Sequence, residues 1–153
     1  MQSVDLSGLD KIDKALKQLL KKAPDMRRKL HEELADQMQR AVVGNIAETT
    51  ERHTGNLQRW QEKYVGSGGG YAAVRAVNTS TGAESPGAIT NYVNSGHKIR
   101  RPADSTRKRR NYVIYVDGRH FYQSAAKDIE SIAVPLAEDF VRDMAQILEG
   151  KML

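Results

Sequence analysis

At 153 residues and a formal charge of +5, the chain is expected to form one domain, 1–153, around a single core. The absence of cysteine excludes a disulfide framework and any thiolate metal site, as suits a protein that folds and works in a reducing cytosol. Met1–Ser7 shows no basic start followed by an apolar run, and no stretch approaches the ~18 apolar residues of a spanning helix, so neither an export signal nor a membrane partner is expected.

The first element is a helix. Ser7 reads as its N-cap, with Asp10 placed to reach back to the cap amide, and Leu9, Ile12, Leu16, Leu19 and Leu20 fall on one face. Ala23-Pro24 predicts its end, because a residue before proline is pushed out of the helical region, and Pro24 is suited to open a second helix. That second helix is expected to reach Ile46, with Met26, Leu30, Leu34, Met38, Val42 and Ile46 at intervals of four. Each such step overshoots a full turn by about 40°, so the stripe winds around the rod and its two ends should face different neighbours. The helical region as a whole spans 7–50.

From 51 to 119 glycine, serine, threonine and asparagine rise, and short apolar runs replace the helical period. Trp60 to Val65 and Tyr71 to Val77 are expected to pair across Gly66-Ser67-Gly68-Gly69-Gly70, and Asn111 to Val116 is a further strand. The helical period returns over 120–149, with Phe121, Ala125, Ile129, Ile132, Leu136, Phe140, Met144, Ile147 and Leu148 at spacings of three and four and Gly150 closing the end. Pro135 should bend this helix without ending it, since the stripe keeps register on both sides. The expected fold is α+β, a small, mostly antiparallel sheet packed by long N-terminal and C-terminal amphipathic helices, with extended loops.

Charge is concentrated rather than spread. Lys98, Arg100, Arg101, Arg107, Lys108, Arg109 and Arg110, set against Asp104 alone, give the loop 98–110 a local excess of six. The remaining 17 basic and 18 acidic residues leave the rest of the chain at −1. Such a loop suits contact with DNA phosphates or with an acidic protein surface, or it is simply solvated. No aromatic residue is interleaved with these charges, so any DNA contact should be blind to sequence.

The remaining motifs favour bland readings. Gly66–Gly70 lacks the Gly-Lys-Ser/Thr of a phosphate loop and reads as a flexible hairpin tip. His31, His53, His97 and His120 form no close pair, so no metal site is assigned; only His97 and His120 could converge, across one strand. No nucleophile, base and orienting group stand out together, so no catalytic residue and no cofactor is assigned.

Four segments occur in an order that resembles the tail-completion, or neck, proteins of long-tailed bacteriophages. They are Thr54-Gly55-Asn56-Leu57 after a long helix, a glycine-bearing hairpin, Asn91-Tyr92-Val93-Asn94-Ser95-Gly96-His97, and Gly118-Arg119-His120-Phe121 opening the last helix. The most specific part is Gly96-His97 followed at a distance by Gly118 to Phe121. The resemblance covers roughly residues 24–148. One departure stands out: many members carry an acidic residue shortly before the glycine of the middle motif, where this chain has Asn94 and Ser95. The resemblance implies a non-enzymatic virion protein, made in the host cytoplasm, that forms a sixfold ring with copies of itself. It also implies the tail terminator, the tail tube or the head-completion protein as neighbours, with DNA in the channel as a further contact. A free, sequence-blind nucleic-acid-binding protein using the loop 98–110 is the competing expectation.

Overall fold

The computed structural model describes residues 7–50, 54–100 and 113–150. In chain order the elements are α1 (Ser7–Thr49), α2 (Asn56–Arg59), β1 (Gln61–Val65), β2 (Ala72–Ala76), α3 (Pro86–Ser95), β3 (Gly96–Arg100), β4 (Val113–Asp117) and α4 (Phe121–Leu148). The fold is α+β and mostly helical, and the sheet component is two separate antiparallel hairpins, β1-β2 and β3-β4, in place of the one small sheet expected.

The two expected N-terminal helices are one. α1 runs unbroken for 43 residues with Pro24 inside it. Proline in a helix interior removes one donor and crowds the carbonyl four residues back, a cost of about 3 kcal/mol. Pro24 is exposed, so water can serve the carbonyl it leaves without a partner. Continuity also keeps the stripe from Ile12 to Ile46 on one rod. The same holds at Pro135, which is exposed within a continuous 28-residue α4, as the register of its apolar residues predicts.

α1 and α4 pack antiparallel. Val42 and Ile46 of α1 meet Phe121 and Ala125 of α4 in the buried core, with Ala41, Leu57, Val74, Val93 and Tyr122 packed around them. Asn45 Nδ2 donates to Asp128 Oδ2 at 3.0 Å, and further along Met26 and Leu30 lie opposite Leu136, Phe140 and Ile147. Burying Phe121 and Ile46 completely contributes on the order of 2 kcal/mol each from area alone.

The β1-β2 hairpin lies against α1. Its register runs from Gln61 opposite Ala76 to Val65 opposite Ala72, and the amide of Val77 extends the ladder by donating to the Trp60 carbonyl at 2.8 Å. On its exposed face the Arg75 guanidinium stands 4.2 Å from the centre of the Tyr64 ring. The tip, expected to be a flexible hairpin turn, is docked on α1. Arg27 Nη2 donates to the Gly68 carbonyl at 2.9 Å, and Gly69 is buried with φ +62, where an added Cβ would stand 2.9 Å from Cβ of Arg28. Only glycine combines that left-handed conformation with so close an approach to the helix.

One buried polar side chain ties the hairpin to the rest. Gln61, 2% exposed, accepts from the Tyr122 hydroxyl and donates from Nε2 to the Leu57 carbonyl at 2.9 Å. Gln39 Nε2 donates to the Gln61 carbonyl at 2.7 Å, so α1, α2, β1 and α4 share one network. Burial pushes the Tyr122 phenol above its ordinary pKa.

Candidate functional site

α3 and β3, neither of which was assigned from the sequence, build the site together with β4. α3 starts at a cap the sequence does contain. Ser85 Oγ accepts from the Ala88 amide at 3.2 Å, and Pro86 opens the helix. α3 ends at Gly96, whose φ of +81 turns the chain directly into β3. β3 pairs with β4 from Gly96 opposite Asp117 to Arg100 opposite Val113.

The two glycines of the most specific motif stand back to back. A Cβ on Gly96 would lie 2.5 Å from the Val116 carbonyl oxygen and 2.8 Å from the Gly118 amide nitrogen. A Cβ on Gly118 would run into the Asn94 carbonyl oxygen and lie 2.7 Å from the Gly96 amide nitrogen. Neither backbone has room for a side chain at this crossing, which is why glycine is required at two places so far apart in the sequence.

The crossing is then stitched to the start of α4. The Arg119 amide donates to the Val93 carbonyl at 2.8 Å, and the His120 amide to the Asn94 carbonyl at 2.9 Å. These bonds satisfy carbonyls at the end of α3, which would otherwise lack partners. His120, at φ 52, is in the left-handed conformation and contributes no side-chain cap to α4. Asn94, 5% exposed, supplies it instead: its Oδ1 accepts from the Tyr122 amide at 3.1 Å, in the first turn of α4. A residue 28 positions upstream thus performs the N-cap's work. At the same joint Tyr115 hydroxyl donates to the Ser95 carbonyl at 3.2 Å. The Asn94 position needs an acceptor, and its amide oxygen supplies it.

Beside this joint lies a groove of about 530 Å³. Leu57, Trp60, Ile89 and Val93 give it an apolar floor, and Thr50, Thr54, His97, Asp117 and Arg119 a polar edge. Tyr92 stacks toward His97 with ring centres 5.4 Å apart, and His97 Nδ1 lies 3.4 Å from the Tyr92 carbonyl oxygen. This groove can take an extended peptide segment or a loop with apolar side chains, offering hydroxyl, imidazole, carboxylate and guanidinium groups to its backbone.

The motif residues therefore separate into two sets. Thr54, Leu57, His97 and Arg119 line the groove, while Gly96, Gly118 and Phe121 fix the joint beneath it. Gly55, at φ +76, turns the chain into α2, which carries Leu57. His97 lines the groove and His120 is not among its lining residues. Arg119 and His120 follow the end of β4 away from the loop 98–110, and their backbone amides bond to α3. Among the described residues no group of three or more His, Asp or Glu could hold a metal.

Of the basic loop, Lys98 is exposed on β3 and Arg100 ends that strand. Arg101, Arg107, Lys108, Arg109 and Arg110 lie outside the described residues, as do His53 and the start of the strand predicted from Asn111. The β3-β4 register places the loop at one end of the hairpin and the glycine crossing at the other, four residue steps or roughly 14 Å away.

Comparisons with family models, with curated proteins and with solved structures each return no match.

Proposed function

We propose that this chain is a non-enzymatic structural protein of the bacteriophage head-to-tail joint, a neck or tail-completion protein found in the virion. It works there in a ring of its own copies, between the head-completion protein and the tail terminator or tube. One observation supports the reading: three of the four segments that resemble the family, 54–57, 91–97 and 118–121, meet at a single joint and groove. A motif order kept only by chance would not be expected to supply both glycines of one backbone crossing and four lining residues of the groove beside it.

On this reading the groove receives a segment of a neighbouring subunit, and the charged loop at the far end of the β3-β4 hairpin faces either channel DNA or an acidic ring. Six copies of a loop carrying an excess of six charges would make a strong positive belt. Purified virions test the class directly: the protein should be found in particles, and its absence from them would refute the reading. Charge reversal at Arg107, Lys108, Arg109 and Arg110 should leave heads and tails unjoined, whereas normal infectious particles would show that the loop is only solvated.

A second reading, a free nucleic-acid-binding protein, draws on the same concentration of charge in 98–110. It requires duplex affinity in the isolated protein that falls steeply as salt rises, in proportion to the phosphates neutralised. No binding at low salt removes it.

A further inference from the structure

The groove beside the joint is lined by three aromatic rings from three places in the chain. Trp60 follows α2, Tyr92 belongs to α3 and His97 to β3, and the last two lie against each other with ring centres 5.4 Å apart. Leu57, Ile89 and Val93 complete an apolar lining.

The hydrogen-bonding groups left open there define what a ligand must offer. Thr50 Oγ donates to the Ile46 carbonyl at 2.6 Å, and Asn56 Oδ1 accepts from Arg59. Trp60 Nε1, Asn56 Nδ2 and the Arg119 guanidinium have no hydrogen-bond partner among the described residues. No buried side-chain nitrogen among those residues lacks a partner, so the indole N–H is open to solvent. All three groups are donors only. The hydroxyls and the imidazole of the lining can donate or accept, and Asp117 supplies its one carboxylate, unpaired among the described residues. The balance is toward donation. A β-strand brings as many N–H groups as carbonyls, and a helix spends its carbonyls on itself. A polyproline II segment makes no internal hydrogen bonds, so its carbonyls are free to accept, and each proline has no N–H to satisfy. Such segments dock in aromatic-lined grooves.

We infer that this groove binds a proline-rich segment in the polyproline II conformation, carried by a different protein. The chain's own prolines, Pro24, Pro86, Pro102 and Pro135, stand singly, so a second copy does not supply such a segment. Proline rings lie on Trp60 and Tyr92, Trp60 Nε1 donates to a carbonyl of the segment, and Asp117 receives a basic residue flanking the prolines. Because proline fixes φ in advance, docking costs little ordering entropy. The inference rests on the reading of the groove as the seat of a neighbour's segment, and names the chemistry of that segment.

Trp60 is the only tryptophan in the chain, so a single indole N–H signal in nitrogen-15 NMR spectra reports on the groove. The full-length protein is titrated with end-blocked decaproline, with decaproline followed by arginine, and with glycine-serine and threonine-valine peptides of equal length. Decaproline should move the indole signal saturably, and the arginine-bearing peptide should bind about threefold more tightly. Asp117→Asn should erase the difference between those two. Trp60→Phe keeps a ring and removes the donor; it should weaken decaproline about three- to tenfold in fluorescence anisotropy, with circular dichroism showing that the variants remain folded. An indole signal that decaproline does not shift overturns the inference. Equal binding of the glycine-serine or threonine-valine peptide overturns it too, as does decaproline binding that Trp60→Phe leaves unchanged. None of those failures touches the neck reading, which the presence of the protein in particles decides, and its absence from particles would leave the titrations as they are.

Discussion

Near its C-terminal end α1 buries Val42 and Ile46 to 4% and 0% exposure, whereas near its N-terminal end Ile12, Leu16 and Leu20 stand 57%, 46% and 75% exposed. Both groups belong to the same run of apolar residues at helical spacing, and the helix between them is continuous. What separates them is company. The C-terminal half meets α4, the β1-β2 hairpin and α2, while the first turns extend beyond the end of α4. Periodicity shows that a face is meant to be covered; it does not show whether the cover comes from the same chain.

The sharpest way to break this contrast is to truncate the buried end. Phe121→Ala should cost about 3–5 kcal/mol and Ile46→Ala about 2–5 kcal/mol, read from the shift of the urea midpoint, because both side chains are fully enclosed. At the glycine crossing, Gly118→Ala should cost on the order of 1–3 kcal/mol or more by forcing the α3-β3 turn away from β4. Its effect should be seen first as faster amide exchange at Arg119 and His120, whose hydrogen bonds to α3 span that crossing.

Tyr122→Phe should cost about 1–3 kcal/mol by removing the donor to buried Gln61. It also carries a pH signature. Burial raises the folded phenol above its ordinary value of 10.0, so the folded state holds the proton more tightly than the unfolded one. The stabilisation is complete below that ordinary value and is lost as pH rises through the folded value. The wild type should therefore lose more stability in the alkaline range than Tyr122→Phe does; equal losses would show that Tyr122 is not the group responsible.

Smaller effects sharpen the comparison from the exposed side. Asp36→Ala removes a surface pair with Lys63 in which both side chains remain nearly half exposed, and should cost less than about 1 kcal/mol. Leu20→Ala should change stability by no more than about 0.5 kcal/mol. A loss comparable with that of Ile46→Ala would mean that the first turns of α1 have an intramolecular partner.

Some elements were easy to read and others were hidden, for physical reasons that differ. α4 was legible because 28 residues of regular spacing outweigh one proline. The β1-β2 hairpin was legible because five residues rich in glycine separate two runs of strand character. Pro24 misled, because a local preference was read as a boundary, while the apolar stripe crossing it already argued for continuity. α3 was missed although Ser85-Pro86 signals a helix start, because its 10 residues are too few for a convincing period. β3 has no strand pattern of its own; Gly96 to Arg100 are extended because β4 pairs with them. The groove was legible only as residue names, Thr54, Leu57, His97 and Arg119, without any sign that they share a wall, and Trp60, Ile89 and Tyr92 beside them were not assigned to a site.

The sequence by itself determined the long amphipathic helices, the glycine-bearing hairpin, Phe121 as the first docking residue of α4 and the confinement of basic excess to 98–110. These follow from neighbours along the chain, through spacing, turn chemistry and charge. The tertiary structure alone decided that Gly96 and Gly118 stand back to back, that Asn94 caps a helix beginning 27 residues later, and which half of the α1 stripe is buried. Each of those depends on two backbones from distant segments arriving within a few ångströms of each other, and residue spacing along a single chain carries no record of that distance.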